Sequence, residues 1–329
     1  MTRRSRDSRA QGGRYLLVLV VMLAINFFLP RLMPGDPFLY LSVEDGTVSA
    51  VFSQQQIDHY KAYYGLDKPL HVQFGGYLLG LLRGDLGYSI YYNTSVTEMI
   101  FTRLPWTLFI VISSLVVSSV VGTALGAISA WHRDGMLDRI LYAVMIVLSE
   151  IPSFLLGVLF LFIFAAQLKW FPLSGGRTVF ATYGSVGTAL GDILHHATLP
   201  VATLAVSRVG GFYLLSRNSM LTVITKDYIR TARAKGIGRR AVIIRHALKN
   251  ALPPVVARIF MSLGGLFGGA VLVENVFAYP GVGRLMREAV GNRDYVLLQG
   301  IFLTITVMVL LMNWLADIVY RKLDPRVAR

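Results

Sequence analysis

The chain has 329 residues, 54% of them hydrophobic and only 15% charged, with a mean hydropathy of +0.57; soluble domains carry about 25% charged residues, so composition excludes a soluble fold and implies a membrane-embedded one. A net charge of +14 would suggest nucleic acid in a soluble protein, but in a membrane protein it first reflects cytoplasmic loops that collect Lys and Arg and meet anionic lipid. There is no cysteine, which excludes disulfides and thiolate metal sites and leaves the compartment open.

Arg3, Arg4, Arg6, Arg9 and Arg14 make residues 1–14 a basic arm. The apolar run 15–33 lacks an Ala-x-Ala site after it and continues into MPGDP, so it reads as a retained helix rather than a cleaved signal. The segment 34–104 is too long for a simple turn and carries four basic residues against seven acidic. Within it, Ser53 and Gln56 have capping-box spacing and Gly65 is a helix stop, which predicts a short external helix over 54–64. A second helix with an apolar face is expected over 71–83, at the membrane interface. From Leu104 to Ala130 there is no charge at all, which marks the span 105–131. Further spans are expected at 140–167, 198–217, 254–275 and 297–320, six in all, giving an all-α polytopic membrane protein.

An even number of spans puts the arm, the 131–139 turn, the 217–252 loop and the 321–329 tail on one side. The arm, the turn, the stretch 217–250 and the tail together hold 20 of the 32 basic residues. The excess of Lys and Arg makes that side cytoplasmic, with both termini on it. Residues 105–320 then form a five-helix core after the extracytoplasmic segment.

Gly122 and Gly126 form one small-xxx-small pair, and Gly264, Gly265, Gly268 and Gly269 a double one. Such pairs allow close helix packing, here within the chain or with a partner chain. Two charges fall deep in spans. Glu150 and Arg208 each lie about 15 Å from a span end at about 1.5 Å per residue. A lone charge there costs several kcal/mol, so both are expected to face the interior, as an ion pair or lining a pathway. Arg258 is near enough to a span end to snorkel.

Catalytic chemistry is not evident. None of the seven lysines follows a glycine, so there is no P-loop, and neither H-E-x-x-H nor G-x-S-x-G occurs. His195 and His196 are adjacent, so on a helix their rings diverge by about 100° and cannot share a metal unaided. The chain alone is not expected to be an enzyme.

The basic loop contains DYIRTARAKGIG, residues 227–238. Thr225 can cap a helix that Gly236 ends. Ala232 and Gly236 are four apart, which predicts a small-residue face that another surface could approach. A second helical stretch puts Val242, Ile243, Ala247 and Leu248 on one side, before Pro253 and Pro254 open the next span. A nucleic-acid loop would interleave aromatics with its basic residues, and only Tyr228 is present. Headgroup binding and docking of a cytoplasmic protein remain, and the small face favours docking.

The stretch DYIRTARAKGIG…RHALKNALPPVV resembles the EAA loop of binding-protein-dependent ABC importer permeases. More narrowly, the chain resembles the first permease of the dipeptide/oligopeptide/nickel importers. LMPGDP (32–37), YGLDKPLHVQF (64–74), GDLGYS (84–89), RLPWTL (103–108), IPSFLLG (151–157), SRNSML (216–221), VENVFAYPGVGRL (273–285) and LDPR (323–326) carry that likeness in order. The resemblance implies a type I importer permease fold in the bacterial inner membrane, usually paired with a second homologous permease. It also implies two ATP-binding subunits that hold the ATP and Mg, and an extracytoplasmic binding protein that delivers substrate. No cofactor is then bound by this chain. The coupling loop would comprise Asp227, Tyr228, Arg230, Thr231, Ala232, Arg233, Ala234, Lys235 and Gly236. The family's acidic triplet position falls on Arg230, with the nearest acid at Asp227, which puts a motif salt bridge in doubt. Glu150 departs from the family pattern beside IPSFLLG.

Peptides are the expected substrate, with a nickel chelate or another small solute as the alternative. A self-sufficient secondary transporter is the alternative of a different class. It would need a mid-membrane carboxylate for a coupling ion, and Glu150 is the one that could serve.

Overall fold

A computed structural model describes residues 2–32, 43–44, 47–48, 54–63 and 65–323. Its contacts divide the chain into two compact units, Met1–Pro105 with Arg284–Leu310, and Trp106–Gly283 with Leu311–Arg329. The sequence suggested one core over 105–320. The difference is that 284–310 packs with the N-terminal segments.

The first unit holds α1 (Thr2–Arg31), a two-residue antiparallel pair β1 (Val43–Glu44) and β2 (Thr47–Val48), α2 (Gln54–Tyr63) and α3 (Leu70–Leu82). Ser53, expected to cap α2, lies outside the described residues, as do most of LMPGDP and the end of LDPR. Gly65, at φ +65°, ends α2: its amide donates to Ala62 O and that of Leu66 to Lys61 O. Phe27 is fully buried among Phe28, Phe74 and Tyr77, and the Arg31 guanidinium stacks on it at 3.6 Å. Asp294, also fully buried, accepts from Ser89 Oγ at 2.5 Å and from the amides of Tyr91 and Leu297. Burial, with the Glu288 carboxylate that accepts its hydrogen bond at 3.2 Å, pushes the Tyr92 hydroxyl up to about 12.

The second unit is built on α4 (Val96–Trp131) from Trp106 onward, α5 (Met136–Glu150), α6 (Ser153–Phe160), α7 (Val186–Ile224), α8 (Asp227–Ala234) and α9 (Lys249–Val276). Its largest core joins Ile110, Val111 and Leu115 of α4 to Leu204 and Phe212 of α7 and Val255, Ala270 and Val273 of α9. α10 (Val282–Gly291) and α11 (Tyr295–Leu323) complete the chain.

Gly122 and Gly126 pack within the chain. A Cβ on Gly122 would sit 2.6 Å from Val209 O, and one on Gly126 would sit 2.5 Å from Tyr213 O. Only glycine lets the α4 and α7 backbones meet there. Gly210 does the same for α7 on α5, where a Cβ would sit 2.4 Å from Met145 O. Gly264 and Gly265 lie outside the residues whose side-chain surroundings are described.

Several expected spans change shape. The run 140–167 is not one rod: α5 and the helix Ser153–Gln167, whose last part Leu161–Gln167 is π-helical, meet at an elbow bent by 100°. Pro152 has no amide hydrogen, and the residue before it is driven out of the helical region; Ile151 takes φ −79°, ψ 121°. α7 starts at Val186, well before 198, because Ser185 and Thr188 form a reciprocal capping box. At its other end it runs on to Ile224. Pro253 and Pro254 lie inside α9, which follows without a break on Arg239–Ala241 and a π-helical turn over Val242–Leu248. The expected loop 217–252 therefore shrinks to short connections around α8. Among the described residues, α4, α7 and Tyr295–Ile318 are long and apolar enough to cross a bilayer, with the bent pair as a fourth. α1 and α9 run through positions whose side chains are not described.

Candidate functional site

α8 is eight residues long and short connections hold it at both ends. Lys226 occupies its N-cap in an extended conformation, without a side-chain cap bond. Thr225, expected to cap this helix, instead closes α7, and its Oγ1 donates to Thr222 O at 2.9 Å. Asp227 in the first turn meets the positive end of the helix. At the other end the Gly236 amide donates to Arg233 O at 3.0 Å and the Ile237 amide to Ala232 O at 3.3 Å. This is a Schellman turn, with Gly236 at φ +73° in the left-handed position.

The inward face of α8 is Ile229 and Ala232, 0% and 5% exposed. They pack with Ala127 and Ala130 of α4, Met220 of α7, Val242 and Ala247 of the π-helical turn, and Ala251 of α9. Burying Ile229 alone contributes about 1.5–3 kcal/mol. Ile237 folds back onto the same cluster, and Arg233 lies over the Trp131 ring at 5.2 Å. Asp227, Tyr228, Arg230, Thr231, Ala234, Lys235 and Gly236 are exposed. The expected outward face of Ala232 with Gly236 is therefore corrected. The helix ends at Ala234, so a four-residue spacing no longer places both on one side. Ala232 is used inward, and Gly236 serves the turn, with nothing within 4 Å of a Cβ there. Arg230 does reach Asp227 at 3.8 Å, but both side chains are exposed and such a pair contributes little.

A polar clamp joins three helices, α4, α5 and α7. Asp138 of α5 is 3% exposed and takes both Nε and Nη2 of Arg217 of α7, each at 2.8 Å. Ser129 of α4 donates to the same carboxylate, the Asp134 amide reaches it at 3.2 Å, and Tyr213 Oη meets Ser129 Oγ at 2.6 Å. Sequence reasoning missed this clamp. In the sequence Arg217 is one of the basic residues of the stretch 217–250, and the acidic Asp138 beside Arg139 is the available signal.

Glu150 is the last residue of α5, at the elbow, and is exposed. Arg208 is half-buried in α7, its guanidinium 3.2 Å from where a Cβ on Gly269 of α9 would sit. No ion pair joins the two among the described residues. His196, 8% exposed, bonds Asp192 O through Nδ1 at 2.9 Å, and His195 bonds Trp170 O through Nε2.

After α9 the segment VENVFAYPGVGRL folds around one acid. Glu274 is fully buried and accepts from Thr107 Oγ1 and from the Gly283 amide, each at 2.6 Å. A Cβ on Gly281 would sit 2.2 Å from that carboxylate. Tyr279, also fully buried, meets Trp106 edge-on. This cluster binds the loop after α9 to the start of the second unit's α4 segment.

The arrangement is mechanical. A short helix with a free polar face is rooted by its apolar face on the ends of α4, α7 and α9. Residues 122–329 match the family described as binding-protein-dependent transport system inner membrane component. The "Probable peptide ABC transporter permease protein y4tP" of Sinorhizobium fredii is 33% identical over 317 residues, covering 95% of this chain and 97% of that one. The glutathione transport system permease protein GsiC of Salmonella choleraesuis is 33% identical over 311 residues, 94% of each chain. Among solved structures, a chain of the MetNI methionine ABC transporter in an inward-facing conformation shares the fold, with a TM-score of 0.56 and 17% identity. The match covers 69% of this chain and 97% of that one. The α8 mount, its Schellman turn and the helical core around it all lie in the matched region, and the chain belongs to the family of binding-protein-dependent transport system inner membrane components.

Proposed function

We propose that this chain is the permease subunit of an ATP-driven ABC importer for peptides delivered by an extracytoplasmic binding protein. The observation that carries the reading is α8, apolar inward and polar outward, fixed to the ends of three long helices. A push on its outer face, through Tyr228, Arg230, Thr231 and Lys235, displaces those helices together. The partner at that face is an ATP-binding subunit, two per transporter, which holds ATP and Mg; this chain binds neither. A second homologous permease completes the pathway. Both termini and α8 are cytoplasmic, in keeping with the basic residues gathered there. Arg208 and Glu150 belong to the pathway region. The peptide assignment draws on the named peptide and glutathione relatives.

The test is purification of the tagged chain in mild detergent, followed by reconstitution with the binding protein. Two ATPase subunits and a second permease should co-purify, and peptide uptake should require ATP. A chain that purifies alone and transports without ATP overturns the proposal.

A further inference from the structure

One groove on the second unit has no place in the function proposed above. Leu108, Val111, Ile112, Leu115, Val116 and Ser119 recur on α4 at the three- and four-residue spacing of one helix face, so they form a stripe down the helix. Ile259 of α9 and Met312 of α11 complete the lining, and all of these residues belong to the second unit. The groove holds about 350 Å³. Val111 and Leu115, 1% and 4% exposed, make its floor, while Ile112 and Val116 are half exposed and make a rim open to the bilayer.

Size and depth select the occupant. From Leu108 to Ser119 the helix rises about 16 Å. Spread over that length, 350 Å³ makes a lane about 5 Å across, where an α-helix measures about 10–12 Å. Counted from the outer span ends at 105, 275 and 297, Leu108 lies about 5 Å deep, and Ser119, Ile259 and Met312 lie about 21–24 Å deep. Residues of three helices thus meet at one depth, and they close the lane inside a hydrocarbon core of about 30 Å. A partner's transmembrane helix needs twice the width and the full thickness, so it is not the occupant. Nor is a peptide: the hydroxyl of Ser119, the one polar side chain of the lining, already donates to Val116 O at 3.0 Å, which leaves a backbone unsatisfied. A single file of methylenes fits, because non-bonded carbons pack at about 3.5–4.0 Å and an empty lane would strip the floor of contacts. We infer that the groove seats one acyl chain of a membrane phospholipid, which enters from the extracytoplasmic leaflet and ends with its terminal methyl between Ile259 and Met312. The leaflet rests on the orientation proposed above. The acyl chain rests on the groove alone.

The test reconstitutes the tagged chain, with its co-purifying subunits, in phosphatidylcholine vesicles. The lipid carries a diazirine on one acyl chain, near the terminal methyl in one preparation and near the ester in another. After irradiation, adducts are mapped by mass spectrometry. Val120 and Val147, both well exposed, report ordinary bilayer contact. The terminal probe should mark Ile259 and Met312 at least about fivefold above these two valines, the enrichment of a site about 1 kcal/mol tighter than bulk lipid. The ester probe should mark Leu108 instead. Val116→Trp, on the open rim, should close the lane and bring Ile259 and Met312 down to the Val120 level. Leu115→Phe should do the same from the floor. Equal marking of the groove and the two valines overturns the site. Weaker marking in the groove than on the valines also overturns it, and means that a second permease covers that face. A reversed order of the two probes overturns entry from the extracytoplasmic leaflet. A chain that purifies alone and transports without ATP defeats the function proposed above, while the labelling pattern would still support the groove.

Discussion

Asp138→Asn keeps the shape of the clamp and removes its charge. Arg217, 17% exposed at the side chain, would then hold an uncompensated guanidinium between α5 and α7. Breaking one side of a buried pair costs about 3–5 kcal/mol. At roughly 2–4 °C per kcal/mol for a unit of this size, the melting temperature should fall by roughly 6–20 °C. Arg217→Gln alone should cost less, because the Asp138 carboxylate keeps the Ser129 hydroxyl and the Asp134 amide. The double variant should be more stable than Asp138→Asn, since no charge is left stranded. Thermal unfolding of the complex in nanodiscs, followed by tryptophan fluorescence, reads all four members of the cycle. Losses that add would refute the reasoning, because independent residues have no coupling energy.

Ala232→Trp cannot fit between Ile229 and the α4 end, so it should lift α8 and abolish peptide-stimulated ATP hydrolysis while the spans stay folded. Tyr228→Ala, on the free face, should weaken retention of the ATPase subunits without changing thermal stability. Gly236→Ala places a Cβ at φ +73° and should cost about 1 kcal/mol, with Gly236→Asn closer to wild type, by thermal unfolding. Gly281→Ala puts a methyl 2.2 Å from the Glu274 carboxylate and should open the loop after α9, read as new protease cleavage between Phe277 and Val282.

The features legible in the sequence were local ones. Gly65 and Gly236 were readable as helix stops because each stands where a chain must turn left-handed. The apolar patterning of Val242, Ile243, Ala247 and Leu248 pointed to one packed side, and these residues do pack together. Pro152 was visible too, but a hydropathy count passes through proline and returned one span where there is an elbow. The start of α7 was hidden because Asp192, His195 and His196 dilute the apolar signal over its first turns. The orientation of Ala232 followed from where the helix stops, a matter of two residues that spacing alone does not resolve. The Asp138–Arg217 clamp joins residues 79 apart and has no local signature.

The elbow at Ile151–Pro152 also bears on how the chain is made. α5 has 15 residues, a rod of about 22 Å, and the helix beyond the elbow is no longer. A hydrocarbon core of about 30 Å needs about 20 residues to cross, so neither half is a self-sufficient insertion signal. The surfaces that receive these halves belong to α7 and α9, which leave the ribosome later. Biogenesis of this stretch must therefore wait on downstream synthesis, and a nascent chain halted before residue 186 should hold it incompletely integrated.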